Sequence, residues 1–247
     1  MPHSVHPTPR ETTPDPKDLS TRYWNANRPK DRWTEECPEF LRGQSEKNIG
    51  ILSRKDEDFE RFTWAQVQDL VRTNRIHHFQ RCSSHLRAYL EYTYQLKTRY
   101  GSVSSYIQHE RLHWENITPS GDRPFSNPAD FKILYNDWPY FLDEDIKHLV
   151  VWTKFLIDED EATGDVAEGA KAEIEDFVTK TFCSRETGPG GKVDRNQIMW
   201  FKNWRSLKSV HALEHFHIML YKAPEELLES VTGGDRPRSE SWTGADP

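Results

Sequence analysis

The sequence predicts an α+β fold: a helical N-terminal half packed on a small, mainly antiparallel sheet of about four strands, with one amphipathic helix inserted among them. Apolar residues recur at helical spacing through the first half, whereas from Phe131 onward short β-rich runs alternate with period two. Aromatic residues make up 12% of the chain, nine of them Trp, although the mean hydropathy is only −0.88. The core is therefore expected to be aromatic-rich and the polarity to lie in the tails.

Residues 1–35 are proline-dense with scattered charge and read as a flexible leader, with Tyr23, Trp24 and Trp33 as its docking end. A single domain is expected over 36–222. Thr63-Trp64-Ala65-Gln66 is a capping box that starts a helix carrying Val67, Leu70 and Val71. A longer helix follows Ser83 or Ser84, with Leu86, Tyr89, Leu90, Thr93 and Leu96 on one face and Gly101 at its stop. A short helix covers Val103 to His109.

Phe131 to Tyr135 and Leu149 to Phe155 read as strands, separated by the turn chemistry of Asn136 to Tyr140. Ala170, Ile174, Phe177, Val178 and Thr181 form one stripe, which predicts a helix over 166–182. Gly188-Pro189-Gly190-Gly191 forces a loop. Two further strands, about 197–203 and 215–221, close the domain, and 223–247 reads as a second flexible tail.

The net charge of −7 argues against nucleic acid, but the charge is unevenly spread. Arg72, Arg75, Arg81, Arg87, Lys97 and Arg99 lie in a stretch that contains few acids and several Tyr and His. Such a surface can hold a phosphate backbone, or be an ordinary solvated helix face. No apolar run is long enough for a membrane span, and the N-terminal sequence lacks the plan of a secretory signal, so a cytoplasmic protein is expected. Cys37, Cys82 and Cys183 are odd in number and widely spaced, which indicates neither a disulfide framework nor a cysteine zinc site.

The chemistry concentrates in two blocks. In a strand over 215–221, His215, His217, Met219 and Tyr221 share a face. By the same rule His148, Val150, Trp152 and Lys154 share one in theirs. If the two faces coincide, a single pocket holds His148, Lys154, His215 and His217 beside Trp152; the alternative is a set of core histidines bonded to neighbours. No third metal ligand of known spacing accompanies the histidines, so no metal or other cofactor is expected. Asp137, next to Trp138, can receive a guanidinium from below while the indole stacks above. Trp200 and Lys202 lie in a Trp-Phe-Lys-Asn-Trp run as further candidate binding residues. No phosphate loop, dinucleotide fingerprint or nucleophile elbow is present in the sequence.

The blocks Phe62-Thr63-Trp64, Arg99 to Val103, Lys132 to Tyr140, His148 to Lys154, Trp200 to Trp204 and Glu214 to His217 resemble, in order, a fungal family of formerly unknown function named after an N-acetylglucosamine-induced protein. The resemblance covers about residues 55–222 and extends to the fungal arginine-containing cyclodipeptide synthases. It implies an ATP-independent transferase of secondary metabolism that condenses arginine and a second amino acid from aminoacyl-tRNAs into a cyclo-Arg-Xaa diketopiperazine. The same resemblance implies that the basic residues of the helical half contact tRNA, that Asp137 or Glu214 holds the arginine guanidinium, and that His215 or His217 is the general base. Ser209 is a candidate for an acyl intermediate. The alternative is a non-catalytic binding or regulatory protein linked to N-acetylglucosamine metabolism.

Overall fold

The computed structural model describes residues 18–160, 163–183, 191–204, 210 and 212–244. In chain order its main elements are α1 (Glu46–Leu52), α2 (Trp64–Arg72), α3 (Ser83–Tyr100), α4 (Val103–Tyr106), β1 (Phe131–Tyr135), β2 (Ile146–Thr153), α5 (Glu168–Val178), β3 (Ile198–Phe201), β4 (Glu214–Tyr221) and α6 (Glu225–Thr232). This is the expected α+β arrangement. The Thr63 hydroxyl accepts from the Gln66 amide, and Gln66 Oε1 accepts from the Thr63 amide at 2.9 Å, so both ends of the predicted capping box close. Helix α3 ends on Gly101 at φ +76°, a conformation that a side chain would strain. After α4 the chain widens into a single π-turn, Ile107–Arg111, which ends on a fully enclosed arginine.

The sheet order is β1-β2-β4-β3, antiparallel throughout. Strand β2 starts at Ile146, earlier than the sequence pattern indicates, because its ladder with β4 extends to Tyr221. It stops at Thr153 because that residue pairs with Glu214, the first of β4, and leaves Lys154 without a partner on that side.

Alternation sorts the strands into two faces. Ile133, Leu149, Val151, Phe216, Ile218 and Leu220 pack on Ile174, Phe177 and Val178 of α5 and on Leu227 and Leu228 of α6. On the other face, Leu134, Val150 and Trp152 meet Tyr92 and Leu96 of α3 and Tyr106 and Ile107, while Ile146, Phe201 and Met219 meet Val67 and Leu70 of α2. Each fully buried large apolar side chain contributes roughly 1.5–3 kcal/mol. The helical half is therefore a layer of the core, and it forms the roof over one sheet face.

Described residues from both expected tails pack on the domain. Residues from Leu19 to Thr34 fold around the buried Asn25, whose side chain donates to Leu19 and Thr34 carbonyls at 3.0 and 2.9 Å, and Arg87 of α3 donates to the Trp24 carbonyl at 2.7 Å. Beyond α6, Asp235 turns inward to Arg111, at 2.7 Å from its Nη1, and Trp242 lies 5.1 Å from the Tyr92 ring. The physical reason is the arginine. Arg111 is 4% exposed, and a buried guanidinium requires carboxylate partners that the helical half does not supply. Asp137 supplies one accepting carboxylate and Asp235 the other.

Replacing Arg111 by Leu leaves two facing buried carboxylates without their cation. Urea denaturation should show a loss of roughly 3–5 kcal/mol, and Asp235→Asn, which keeps one carboxylate on the guanidinium, a smaller one.

Candidate functional site

The paired strands place Val150 opposite His217 and Trp152 opposite His215. The His-bearing face of β4 and the Trp-bearing face of β2 are thus one surface, as the sequence pattern requires. The Trp152 and His215 rings lie 4.6 Å apart; His217 stacks on Phe201 at 4.9 Å and His148 on Tyr140 at 5.2 Å.

Polar atoms in this layer are joined in a chain. The amide nitrogen of Asn203, which can only donate, meets His217 Nε2 at 3.0 Å, so His217 carries its proton on Nδ1 and donates it to His148 Nε2 at 3.0 Å. Asn136, in the turn after β1, places its amide 3.2 Å from the same His148 nitrogen, and its Oδ1 accepts from the Trp138 amide. His215 lies beside this chain, its ring 5.5 Å from that of His217, and its Nδ1 donates to the Leu213 carbonyl at 2.9 Å. Burial pulls His148 down to about 3, aided by the charge of Arg81. Burial also takes His217 well below its ordinary value, and its neighbours His148, His215 and Arg81 further disfavour the protonated form. Both imidazoles are neutral at pH 7.

In front of the histidines lies a cavity of about 240 Å³ between the sheet and α3. Its wall includes His215, His217 and Asn203 on one side and Trp138, Tyr89 and Tyr92 on the other. Arg81 and Lys47 also line it. The combination of aromatic plates with a few convergent polar groups is that of a ligand site.

Of the candidates from the sequence, Trp138, Trp152, His215 and His217 line the cavity, and His148 stands directly behind His217. Asp137 reaches the wall, but its carboxylate is committed: Arg111 grips it at 3.1 and 2.7 Å, so the guanidinium it holds is the protein's own. Burial opposes the charge on Arg111, and the carboxylates of Asp235 and Asp137 outweigh it, so its pKa is raised.

Trp200, Lys202 and Glu214 belong elsewhere. Alternation turns Trp200 to the α5 side, where its indole donates to Glu175 at 2.7 Å. Lys202 is buried between Glu159, at 2.5 Å, and Glu214, at 3.2 Å, so these two candidates satisfy each other away from the histidines. Lys154 sits 5.3 Å from the Trp114 ring, outside the cavity. Ser209 lies outside the described residues.

The basic stretch divides likewise. Arg72, Arg75, Lys97 and Arg99 are exposed, Arg75 in an ion pair with Asp69; Arg87 anchors the N-terminal segment, and Arg81 enters the cavity. Sequence reasoning gave no site role to Arg111, Asp235, Asn136 or Asn203. The two asparagines sat inside quoted motifs, whereas nothing local signals an ion pair between residues 124 apart. Among the described residues no three His, Cys, Asp or Glu converge as a metal site, and no helix is long and apolar enough to cross a membrane.

Residues 63–221 match the profile of a family described as protein of unknown function, DUF3605. The chain is 29% identical over 192 residues to N-acetylglucosamine-induced protein 1 of Candida albicans, spanning 70% of this chain and 73% of that protein. It is 23% identical over 175 residues to an uncharacterized protein of Saccharomyces cerevisiae, spanning 69% and 84% of the two. A solved structure, that of HTC1, shares the fold at a TM-score of 0.52 and 20% identity, over 75% of this chain and 100% of that one. The N-acetylglucosamine-induced family expected from the motifs is the one found.

The neutral histidines impose a pH dependence on stability. Unfolded, each takes up a proton near pH 6.5; folded, His148 does so only near 3, so the native state binds fewer protons in between. Stability is complete above about pH 6.5 and falls as the pH drops toward 3, by about 1.4 kcal/mol per pH unit for each such histidine once below that value. Urea midpoints measured from pH 7.5 to 4.5 should decline accordingly, and His148→Gln should flatten the decline.

Proposed function

The chain belongs to the DUF3605 family, and from that premise we propose that it is an aminoacyl-tRNA-dependent transferase that joins arginine to a second amino acid as a cyclo-Arg-Xaa diketopiperazine. The observation that carries the reading is the pairing of an aromatic cavity with a histidine of fixed tautomer. His215 donates from Nδ1 to the Leu213 carbonyl, which makes Nε2 the candidate nitrogen for accepting a proton, in a wall whose second histidine, His217, is held neutral by burial. A general base for an amine nucleophile needs this arrangement.

In the reaction, the α-amine of one aminoacyl ester attacks the carbonyl carbon of the other. A C–N bond forms, the C–O bond to the tRNA ribose breaks, and His215 carries the proton from the amine to the departing ribose oxygen. The remaining amine then closes the six-membered ring on the second ester and releases the second tRNA. The esters arrive activated, which suits a sequence without a phosphate loop. Because Asp137 is occupied by Arg111, the substrate guanidinium is received on an aromatic face, with Trp138 the first candidate. The exposed Arg72, Arg75, Lys97 and Arg99 are the candidate tRNA contacts.

A second reading, a non-catalytic protein that binds an amino sugar, draws on the name of the Candida albicans relative and on the aromatic plates of the cavity, which suit a sugar face as well as a guanidinium. Titration with N-acetylglucosamine separates the two, since saturable binding without product supports the second.

Expression in a heterologous host should yield arginine diketopiperazines detectable by mass in extracts. His215→Ala should lower the yield at least about 100-fold while the protein stays folded. An extract without such products, from folded protein, overturns the reading.

A further inference from the structure

The cavity wall holds more positive charge than it neutralises. Arg81 precedes α3 and brings its guanidinium 4.1 Å from the Tyr89 ring centroid and 5.5 Å from that of Tyr140. Its Nε and Nη2 donate to a single acceptor, the carbonyl oxygen of Trp138. A guanidinium has five N–H donors. Both hydrogens of Nη1 and one of Nη2 therefore have no protein acceptor among the described residues, and no carboxylate there pairs with Arg81.

The neighbours repeat the pattern. Lys47, an exposed residue, reaches the same cavity, and its ammonium donates to the His77 and Phe79 carbonyls at 2.6 and 3.3 Å, not to an acid. The one acid of the wall among the described residues, Asp137, is matched by Arg111. Trp138, 6% exposed, keeps a buried indole N–H with no partner among the described residues. Donors and cations are thus in surplus at one wall of the cavity, in a chain whose net charge is −7. A partly buried, rigidly stacked arginine with an open donor edge is the arrangement that recognises a carboxylate or a phosphate by paired hydrogen bonds.

We propose that Arg81 anchors an anionic group, a phosphate or a carboxylate, of the molecule that enters this cavity. The proposal rests on the transfer reading for its choice of cavity and not for its reaction. Under that reading the anion is a phosphodiester at the acceptor end of the tRNA; a free carboxylate on a small ligand is the other source. Tyr89 and Tyr140 hold the guanidinium plane, and Lys47 adds a second positive charge to the same wall.

Matched probes test it on the full chain by calorimetry: AMP against adenosine for the phosphate, and N-acetylarginine against its amide for the carboxylate. At least one anionic probe should bind about tenfold or more tighter than its neutral partner, and the pair that does so identifies the source. In Arg81→Gln the preference should vanish while the neutral probe binds as before; Arg81→Lys should restore part of it. Equal affinity within both pairs, or no binding of either anionic probe at millimolar concentration, overturns the proposal, and this comparison needs no variant. Anion preference without diketopiperazine formation overturns the transfer reading and leaves the anchor standing; product formation with no anion preference does the reverse.

Discussion

The pairing of β2 with β4 in one register, Val150 opposite His217 and Trp152 opposite His215, fixes which side chains meet in this molecule. A slip of one residue would send His215 and His217 to the α5 side and bring Phe216 and Ile218 to the cavity. Packing forbids the slip. Phe216, Ile218 and Leu220 are fully enclosed, and Phe216 lies between the rings of Phe125, Phe177 and Trp200. The apolar face thus pins the register, and the polar face inherits its geometry. The aromatic cluster behind the sheet thereby determines the composition of the cavity on the other face.

Burying polar groups on that face carries an obligation, since an unpaired one costs several kcal/mol in an apolar setting. The histidines meet it as a chain, in which Asn203 supplies the donor that sets the tautomer of His217, and His217 in turn sets that of His148. Arg111 meets it differently, with two carboxylates, one of which comes from beyond α6. That need explains why the C-terminal segment folds back: Asp235 also accepts from the Tyr135 amide, and Ser239 donates to the Asp137 carbonyl, so the segment is bonded along the edge of the site. On the opposite face Lys202 is paired with Glu159 and Glu214. Charge and neutrality are segregated by the sheet, with the ion pairs at its margins and the neutral imidazoles at its centre.

This division also explains what the sequence made legible. Period and capping are local, so the box at Thr63, the stop at Gly101 and the strand from Phe131 to Tyr135 were readable from neighbouring residues. The shared face of His148, Trp152, His215 and His217 was readable too, because strand alternation is strict. Trp200, Lys202 and Glu214 were misplaced because adjacency along a strand means opposite faces, and a motif read as a block ignores this: Phe201, Asn203 and His215 beside them face the cavity side. Asp137 was read as a receiver of the substrate's guanidinium, and its carboxylate is instead taken by one of the protein's own. That the guanidinium is Arg111 depends on a turn of the helical layer and on a segment that looks, by composition, like a tail. Arg81 looked like its basic neighbours; only the packing of Tyr89 and Tyr140 about it separates a cavity cation from a surface one.

The same cation links the two halves of the chemistry. Arg81 is among the causes that depress His148 and His217, after burial itself, so its field opposes protonation of the row behind the cavity. A ligand anion seated on the open edge of the guanidinium would cancel much of that field at short range, where the low dielectric makes it strongest. The proton affinity of the histidine row would then rise on binding. The imidazoles hold their neutral tautomers through Asn203 and are bonded to one another. With an anion in place, a proton arriving at the wall would be better tolerated, so the charge that recognises the ligand and the groups that move protons would form one coupled system. An acidic chain gains nothing from a cationic cavity by its net charge; it gains a local potential, shielded from its own surface by Tyr89, Tyr140 and Trp138, that a bound anion can switch off.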